Sequence, residues 1–136
     1  MKYMLIMNSP RDGYAQYMKW PRKILEANVA FMQAFSKQLK EAGELVSAEG
    51  LASPEQARLV RAGNDGKPIT DGVFPESKEF LAGYWIVDVD SPERAFAIAA
   101  EASTAPGGAV TAADGRPIEH FWIEVRQIMS SHKDVV

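Results

Sequence analysis

The side chains best suited to chemistry in this 136-residue chain lie close together in one stretch. Residues 70–79 read Thr-Asp-Gly-Val-Phe-Pro-Glu-Ser-Lys-Glu, and they come directly before an apolar run. Asp71 and Glu76 could act as acids or bases, and Lys78 could pair with an anion. A loop beside a strand end can direct such groups into a pocket, although Asp-Gly turns with charged flanks are also common in surface loops without function.

A histidine provides the second group that could transfer a proton. The chain contains two histidines, and one of them, His132, lies in a polar C-terminal stretch. An imidazole titrates near neutral pH, so His120 could act as acid or base if Asp71 or Glu76 orients it. We therefore predict His120 and Asp71 as candidate catalytic residues, although a single histidine at a strand end is more often structural or exposed.

Other side chains could bind a ligand without reacting with it. A guanidinium or ammonium group can pair with a carboxylate, and surface salt bridging is its usual alternative. Large rings on a strand could line an aromatic pocket, or they could belong to the core or to a dimer interface. The predicted ligand-binding residues are Glu76, Lys78, Tyr84, Trp122 and Arg61.

The composition argues against several other kinds of site. The chain has no cysteine, which excludes disulfides and thiolate-bound metals, and a single plausible histidine favours no other metal site. Its two glycine-rich stretches, at 63–66 and 106–108, lack the spacing of a nucleotide-binding loop, so we expect no cofactor. A net charge of -3 without a basic cluster argues against nucleic acid as a partner. The apolar runs are too short for a membrane span or a signal peptide, so we expect a cytoplasmic protein.

The elements that must position these residues alternate between strands and helices. Residues 2–8 and 80–88 are apolar on both faces, which predicts strands that are covered on both sides. Residues 22–42 carry one apolar stripe and predict an amphipathic helix. Within that stripe Asn28 is either an amide bonded to a neighbouring backbone group or a ligand contact. Residues 44–48 and 118–128 predict two further strands.

Two further segments carry signals for a helix or a turn. Ser91 and Pro92 predict the cap and first residue of a second helix, whose buried positions we expect at Ala95, Phe96, Ala99 and Ala102. Residues 53–63 begin like a capped helix, but they then alternate and lead into an Asn-Asp-Gly turn. We therefore predict a strand, a hairpin turn and a return strand over 67–70.

These elements predict a single α+β domain over residues 1–136. The order fits a ferredoxin-like split βαβ arrangement, an antiparallel sheet with two helices on one face. The other face would then expose several large apolar side chains, which is rare in a monomer. A second copy of the same sheet is the simplest cover, so we expect a homodimer through the open sheet face, with pockets near the interface.

The loop before the long strand also resembles a known protein family. The YCII-related proteins include a DGPF branch, which typically reads Asp-Gly-Pro-Phe-Ala-Glu-Thr-Lys-Glu followed by Gly-Gly-Tyr. The corresponding run here is Asp71-Gly72-Val73-Phe74-Pro75-Glu76-Ser77-Lys78-Glu79, followed by Ala82-Gly83-Tyr84. Residues 1–6, 50–51 and 123–126 are also similar to that branch, so the resemblance extends over nearly the whole chain.

The resemblance implies a dimeric α/β barrel and leaves the activity open. Val73 replaces the proline of the signature, and residues 17–23 lack the histidine that some members of the wider superfamily pair with an aspartate. One hypothesis is a protein that binds a small organic ligand and acts as a cofactor-free lyase or isomerase. The alternative is a non-catalytic binding or regulatory module, because genes of this branch often lie beside extracytoplasmic-function sigma factors.

Overall fold

The computed structural model describes residues 1–72, 79–107, 110–111, 114–118 and 120–129. Its helices are α1 Gly13–Met18, α2 Arg22–Glu41 and α3 Pro92–Ala102, and Pro54–Gln56 forms one 3-10 turn. Its strands are β1 Lys2–Ser9, β2 Leu45–Gly50, β3 Leu59–Ala62, β4 Pro68–Asp71, β5 Phe80–Asp88, β6 Val110–Thr111, β7 Pro117–Ile118 and β8 Ile123–Gln127. No helix of these residues combines the length and apolar character that crossing a bilayer requires.

Four strands form the central sheet, in the order β2-β5-β1-β8, and every neighbouring pair is antiparallel. The helices α1 and α2 lie between β1 and β2 in the chain, and α3 lies between β5 and β8. This arrangement is α+β and is compatible with the predicted ferredoxin-like fold. The predicted strand over 80–88 is confirmed at both ends, and β1 is one residue longer than predicted.

The core lies between one face of this sheet and the helices α2 and α3. Leu5 of β1 and Val87 of β5 are buried there with Leu39 of α2. The ring of Phe35 meets the ring of Trp85 edge-on, with 5.7 Å between the ring centroids. Neighbouring side chains along a strand point to opposite faces of the sheet. The opposite face therefore carries half-buried apolar side chains, namely Met4, Ile6, Tyr84 and Ile86.

The second predicted helix is confirmed, but its predicted buried face is wrong at one position. Ser91 Oγ accepts a hydrogen bond from the Arg94 backbone N–H at 3.2 Å, and Pro92 is the first helical residue. Phe96 is 54% exposed, whereas Ile98 is 0% exposed and takes its place in the core. At about 100° per residue, Ile98 lies about 60° around the helix from buried Ala95, and Phe96 lies about 100° from it. Ile98 is therefore nearer the centre of the buried stripe.

The segment over residues 53–63 combines both structures that its sequence suggested. Ser53 Oγ accepts a weak hydrogen bond from the Glu55 N–H at 3.4 Å, and a single helical turn follows. The chain then forms β3, which pairs with β4 through a turn at Gly66, where φ is +80°. The predicted hairpin is thus confirmed, and the helical start extends for one turn only.

Two features near the ends of the chain differ from the predictions. The prediction of one continuous strand over 118–128 is wrong, because β7 ends at Ile118 and pairs with β6, while β8 begins at Ile123. The sequence analysis also missed the short helix α1, which lies between β1 and α2. Both differences change the surroundings of the residues at one end of the sheet.

A bidentate ion pair joins α3 to the residue before β2. Arg94 donates from Nε and Nη2 to the two carboxylate oxygens of Glu44, at 2.9 and 2.8 Å. Hydrogen bonds from Arg94 lower the pKa of the Glu44 carboxyl group, and those same bonds raise the pKa of Arg94. The pair connects two segments 50 residues apart in the chain and holds the start of α3 close to the start of β2.

Candidate functional site

A cavity of about 400 Å³ lies at the edge of the sheet where β1 and β2 end and β5 and β8 begin. These four ends meet there because each pair of neighbouring strands is antiparallel. Residues of α1 and α2 form the opposite wall. The sheet wall includes Met7, Ala48, Leu81, Trp85 and Ile123.

Aromatic side chains form much of the helical wall. Tyr14 and Tyr17 lie on α1, and Trp20 follows in the link to α2. The rings of Tyr17 and Trp20 lie 5.0 Å apart between centroids and are tilted by 58°. The rings of Tyr14 and Tyr17 stack at 6.5 Å. The spacing of three residues places these rings on one side of the chain, facing the ends of the strands.

Two side chains with polar atoms line the cavity from the helical side. Trp20 is 7% exposed, and its buried indole Nε1–H has no hydrogen-bond partner among the described residues. Asn28 donates from Nδ2 to the Pro106 carbonyl oxygen at 2.8 Å. Of the two roles considered for it, Asn28 therefore makes the bond to a backbone group, and it also lines the cavity. Because its partner is a carbonyl acceptor, the amide nitrogen must face Pro106 and the amide oxygen must face away from it.

The cavity contains little formal charge. Glu49 is the only residue with a charged side chain at neutral pH among the described lining residues, and its exposed side chain lies on the sheet face away from the helices, beside Tyr84. Elsewhere in the described ranges, no three His, Asp or Glu side chains are grouped closely enough to hold a metal ion. The remaining described lining is aromatic, aliphatic, hydroxyl or amide in character. This arrangement can bind an organic molecule by shape, by ring contacts and by a few hydrogen bonds.

Among the described site residues that were predicted, Tyr84 lines this cavity. Asp71 is exposed at the end of β4, where its Oδ1 accepts a hydrogen bond from the Gly72 N–H at 2.8 Å. Arg61 is exposed on β3, and His120 is exposed in the segment before β8. Trp122 is 94% exposed.

The described lining of the cavity includes none of the four residues Asp71, Arg61, His120 and Trp122. Glu76 and Lys78 lie outside the described residues, as does the signature loop over 73–78. The roles predicted for these six residues stay predictions.

The sequence analysis missed the helical wall of the cavity. Trp20 carries no charge and does not titrate, and the rings predicted to line a pocket were those on strands. The signal that could have found this wall is the run of rings at Tyr14, Tyr17 and Trp20, one at every third residue, directly before Pro21. Such spacing predicts one face of a helical segment.

Comparison with known proteins gives one positive finding. No curated protein matches the chain. The family model of the YCII-related domain matches residues 1–119, which include β1 to β7 and all three helices described above. The family predicted from the signature loop is confirmed by this match, while membership of the DGPF branch stays a prediction. The chain therefore belongs to the YCII-related domain family.

Proposed function

We propose that this protein binds a small organic molecule in the cavity at the end of the sheet. The cavity itself carries the proposal, because its volume of about 400 Å³ falls within the range typical of ligand sites. Its lining supports the proposal as well, since mostly apolar walls with a few polar groups are characteristic of small-molecule sites. The binding energy would come mainly from burying the apolar surface of the ligand.

The proposal is for binding and does not include a reaction. The lyase or isomerase hypothesis needs an acid–base pair beside the ligand. Among the described lining residues, the titratable side chains are Glu49 and three tyrosines. Neither His120 nor Asp71 belongs to that lining. A binding or accessory module therefore agrees better with the cavity as described.

Filling the cavity tests this proposal. Ala48 lies on β2, lines the cavity and packs beside the core, so Ala48→Phe would place a ring in the space that a ligand needs. We expect this variant to bind the uncharged dye N-phenylnaphthylamine at least about tenfold more weakly than the unchanged protein, because the two rings compete for one volume. A fluorescence titration of the dye measures the affinity.

The matched control is Val46→Phe. Val46 lies on the same strand, is exposed and is not part of the cavity lining. We expect this variant to bind the dye like the unchanged protein. Equal affinity of all three proteins, or no dye binding by the unchanged protein, would contradict the proposed site.

We also propose that two copies of the chain associate through the helix-free face of the sheet. Its centre holds the four half-buried apolar side chains Met4, Ile6, Tyr84 and Ile86. Charged side chains lie at the edges, with Glu49 on β2 and with Glu124 and Arg126 on β8. An apolar centre with a charged rim is the usual anatomy of a protein interface. Two such faces stacked about a two-fold axis would form the predicted dimeric barrel.

A charge placed at the centre of this face tests the dimer. Ile86→Glu would bury a carboxylate between the two sheets, so we expect this variant to be monomeric under conditions in which the unchanged protein is dimeric. Phe96→Glu is the control, because Phe96 is exposed on α3, away from the sheet. Light scattering after size-exclusion chromatography measures the mass of each. An unchanged protein that is monomeric, or an Ile86→Glu variant that stays dimeric, would refute the interface.

A further inference from the structure

We propose that β8 pairs edge to edge with β8 of a second copy of this chain, antiparallel and in a register centred on Val125. The inference goes beyond the proposed function, because it concerns neither the cavity nor the centre of the helix-free face. Three features of β8 support it: a free edge, side chains whose pattern is complementary to itself, and an exposed tryptophan.

The outer edge of β8 faces no other described strand. β8 is the last strand of the central sheet and pairs there with β1. The Ile128 N–H donates to the Lys2 carbonyl oxygen at 2.9 Å, and residue pairs along an antiparallel ladder alternate between bonded and non-bonded. The backbone groups that face outward are therefore those of Ile123, Val125 and Gln127. A free edge of this kind is a template for another strand.

The two edges of the sheet differ in regularity. β2 forms the opposite edge, and its register on β5 shifts between Leu45 and Ser47. Such a shift twists an edge strand, which is a common protection against pairing with another chain. The pairing of β8 with β1 runs without a shift from Ile123 to Gln127. Of the two edges, β8 is therefore the one better suited to accept a strand.

The side chains of β8 on the helix-free face are complementary to themselves under a two-fold axis. Ile123 and Val125 pack against the core, so the side chains that alternate with them point to the other face. In chain order these are apolar, acidic, basic and apolar, namely Trp122, Glu124, Arg126 and Ile128. Reversing that order exchanges the acid with the base and one apolar residue with the other. An interface between identical copies needs this kind of match.

The charges select one register. Residues whose backbone faces outward must lie opposite one another, so neighbouring registers differ by two residues. With Val125 opposite Val125, Glu124 lies opposite Arg126 of the second copy, and opposite charges attract across a strand pair. A shift of two residues would place either two Glu124 or two Arg126 side chains opposite each other, which destabilises the pairing.

The exposed tryptophan gains a partner in the same register. Trp122 is 94% exposed, more than any other large hydrophobic residue among those described. The register centred on Val125 places its ring opposite Ile128 of the second copy, and Ile128 is half-buried in its own chain. Both side chains would lose contact with water, which adds apolar burial to the backbone bonds. Tryptophan is enriched among the residues that carry the binding energy of interfaces.

We expect this contact to form at high protein concentration. Backbone bonds and ion pairs that stay close to water each add little to stability. At the micromolar concentrations of a chromatography run, the contact would be mostly dissociated. The Ile86→Glu experiment described above therefore reports on the sheet faces and not on the edge.

Hydrogen exchange in the unchanged protein tests the pairing at single residues. The outward N–H groups of Ile123, Val125 and Gln127 would gain acceptors from the second copy. We expect their exchange, measured by NMR, to slow at least about threefold as the protein is concentrated from micromolar to about 1 mM. The N–H groups of Glu124 and Arg126 already face β1, so their exchange should change less.

The free edge of β2 is the matched control. The Leu51 N–H donates to the Ala82 carbonyl oxygen at 2.8 Å, so by the same alternation the backbone groups of Ala48 and Gly50 face outward. We expect the exchange of these two amides to stay the same at all concentrations. Unchanged exchange at β8, or equal slowing at both edges, would overturn the inference.

Single cysteines test the register. The chain has no cysteine, so a thiol introduced at one position can form a disulfide only with another copy. A Glu124→Cys chain beside an Arg126→Cys chain would place the two thiols in a non-bonded pair, where Cα atoms lie about 4.5 Å apart and a disulfide fits. The other Glu124–Arg126 pair would remain. We expect their equimolar mixture to give at least about ten times more linked dimer than either variant alone.

A mixture of Glu124→Cys with Val46→Cys gives the yield of random collisions, because Val46 is exposed on the opposite edge strand. Mass spectrometry of the linked peptides identifies the joined positions. Sheets stacked face to face lie about 10 Å apart, too far for this disulfide, so the dimer of the sheet faces would not produce it. Equal yields from all samples would refute the register, and the exchange measurement stays decisive if a cysteine variant fails to fold.

Discussion

Replacing Ile98 with alanine should lower the free energy of unfolding by about 3 kcal/mol. Ile98 is fully buried and belongs to the core cluster of the sheet and helices α2 and α3. The alanine would remove three carbons from a closely packed site and leave a cavity that its neighbours fill only in part. Urea denaturation followed by circular dichroism measures the loss, with the unchanged protein as reference.

The matched control lies two residues earlier on the same helix. Phe96 is exposed, so Phe96→Ala should lower the free energy of unfolding by less than about 1 kcal/mol, although it removes more atoms. Helix propensity would not oppose either change, since alanine is the best helix former. A larger loss for Phe96→Ala than for Ile98→Ala would mean that α3 is rotated relative to its described position.

The second large effect should come from Gly83→Ala. A Cβ built at Gly83 would lie 2.9 Å from the backbone oxygen of Glu49 and 3.4 Å from the Cα of Gly50. Both are backbone atoms of the neighbouring strand β2, so the pairing of β2 with β5 must shift to make room. We expect a loss of about 2 kcal/mol in unfolding free energy, in the range found for overpacked sites.

Gly83→Ala should also weaken dye binding, because Gly83 and Glu49 both line the cavity. Gly50→Ala is the control, since an added Cβ at Gly50 meets nothing within 4 Å. We expect that control to keep its stability and its affinity for N-phenylnaphthylamine. If both alanine variants unfold at the same urea concentration as the unchanged protein, the close approach of β2 to β5 at Gly83 is wrong.

The predicted elements succeeded where the hydrophobic pattern alone decides the structure. The strand over 80–88 is apolar on both faces and lies between two other strands of the sheet. Its apolar run therefore covers the same residues as its hydrogen-bonded pairing. The helix over 22–42 was found to within one residue, because its apolar stripe runs for more than five turns. Gly43 follows it with φ at +73°, a conformation that favours glycine.

The last strand shows why a pattern is not sufficient. Alternation in residues 118–128 continues through Phe121, but a strand also needs a partner. The pairing of β1 with β8 ends where Met7 meets Ile123, and the register of β1 shifts directly after Met7. Ile118 pairs with Val110 of β6 instead of continuing along β1. The residue at which β8 begins depends on the register of three strands, and the sequence of one strand cannot predict that register.

Little of the candidate site was predictable from the sequence. Tyr84, predicted from its position on the long strand, belongs to the cavity lining, but its ring lies on the sheet face away from the helices, and its role in binding a ligand stays a prediction. The helical wall was missed because its signal is short: Tyr14, Tyr17 and Trp20 give only three positions of one face, over a six-residue helix and its link. The cavity itself arises where four strand ends converge, and that is a property of sheet order rather than of any local motif.

The three tryptophans of this chain occupy very different surroundings. Trp20 and Trp85 are buried and both line the cavity, whereas Trp122 is almost completely exposed. An indole in water emits at longer wavelength than a buried one and is reached readily by quenchers such as iodide. The long-wavelength emission should therefore come from Trp122 and be lost first on quenching. The remaining blue emission would then be an optical reporter of the cavity that needs no added label.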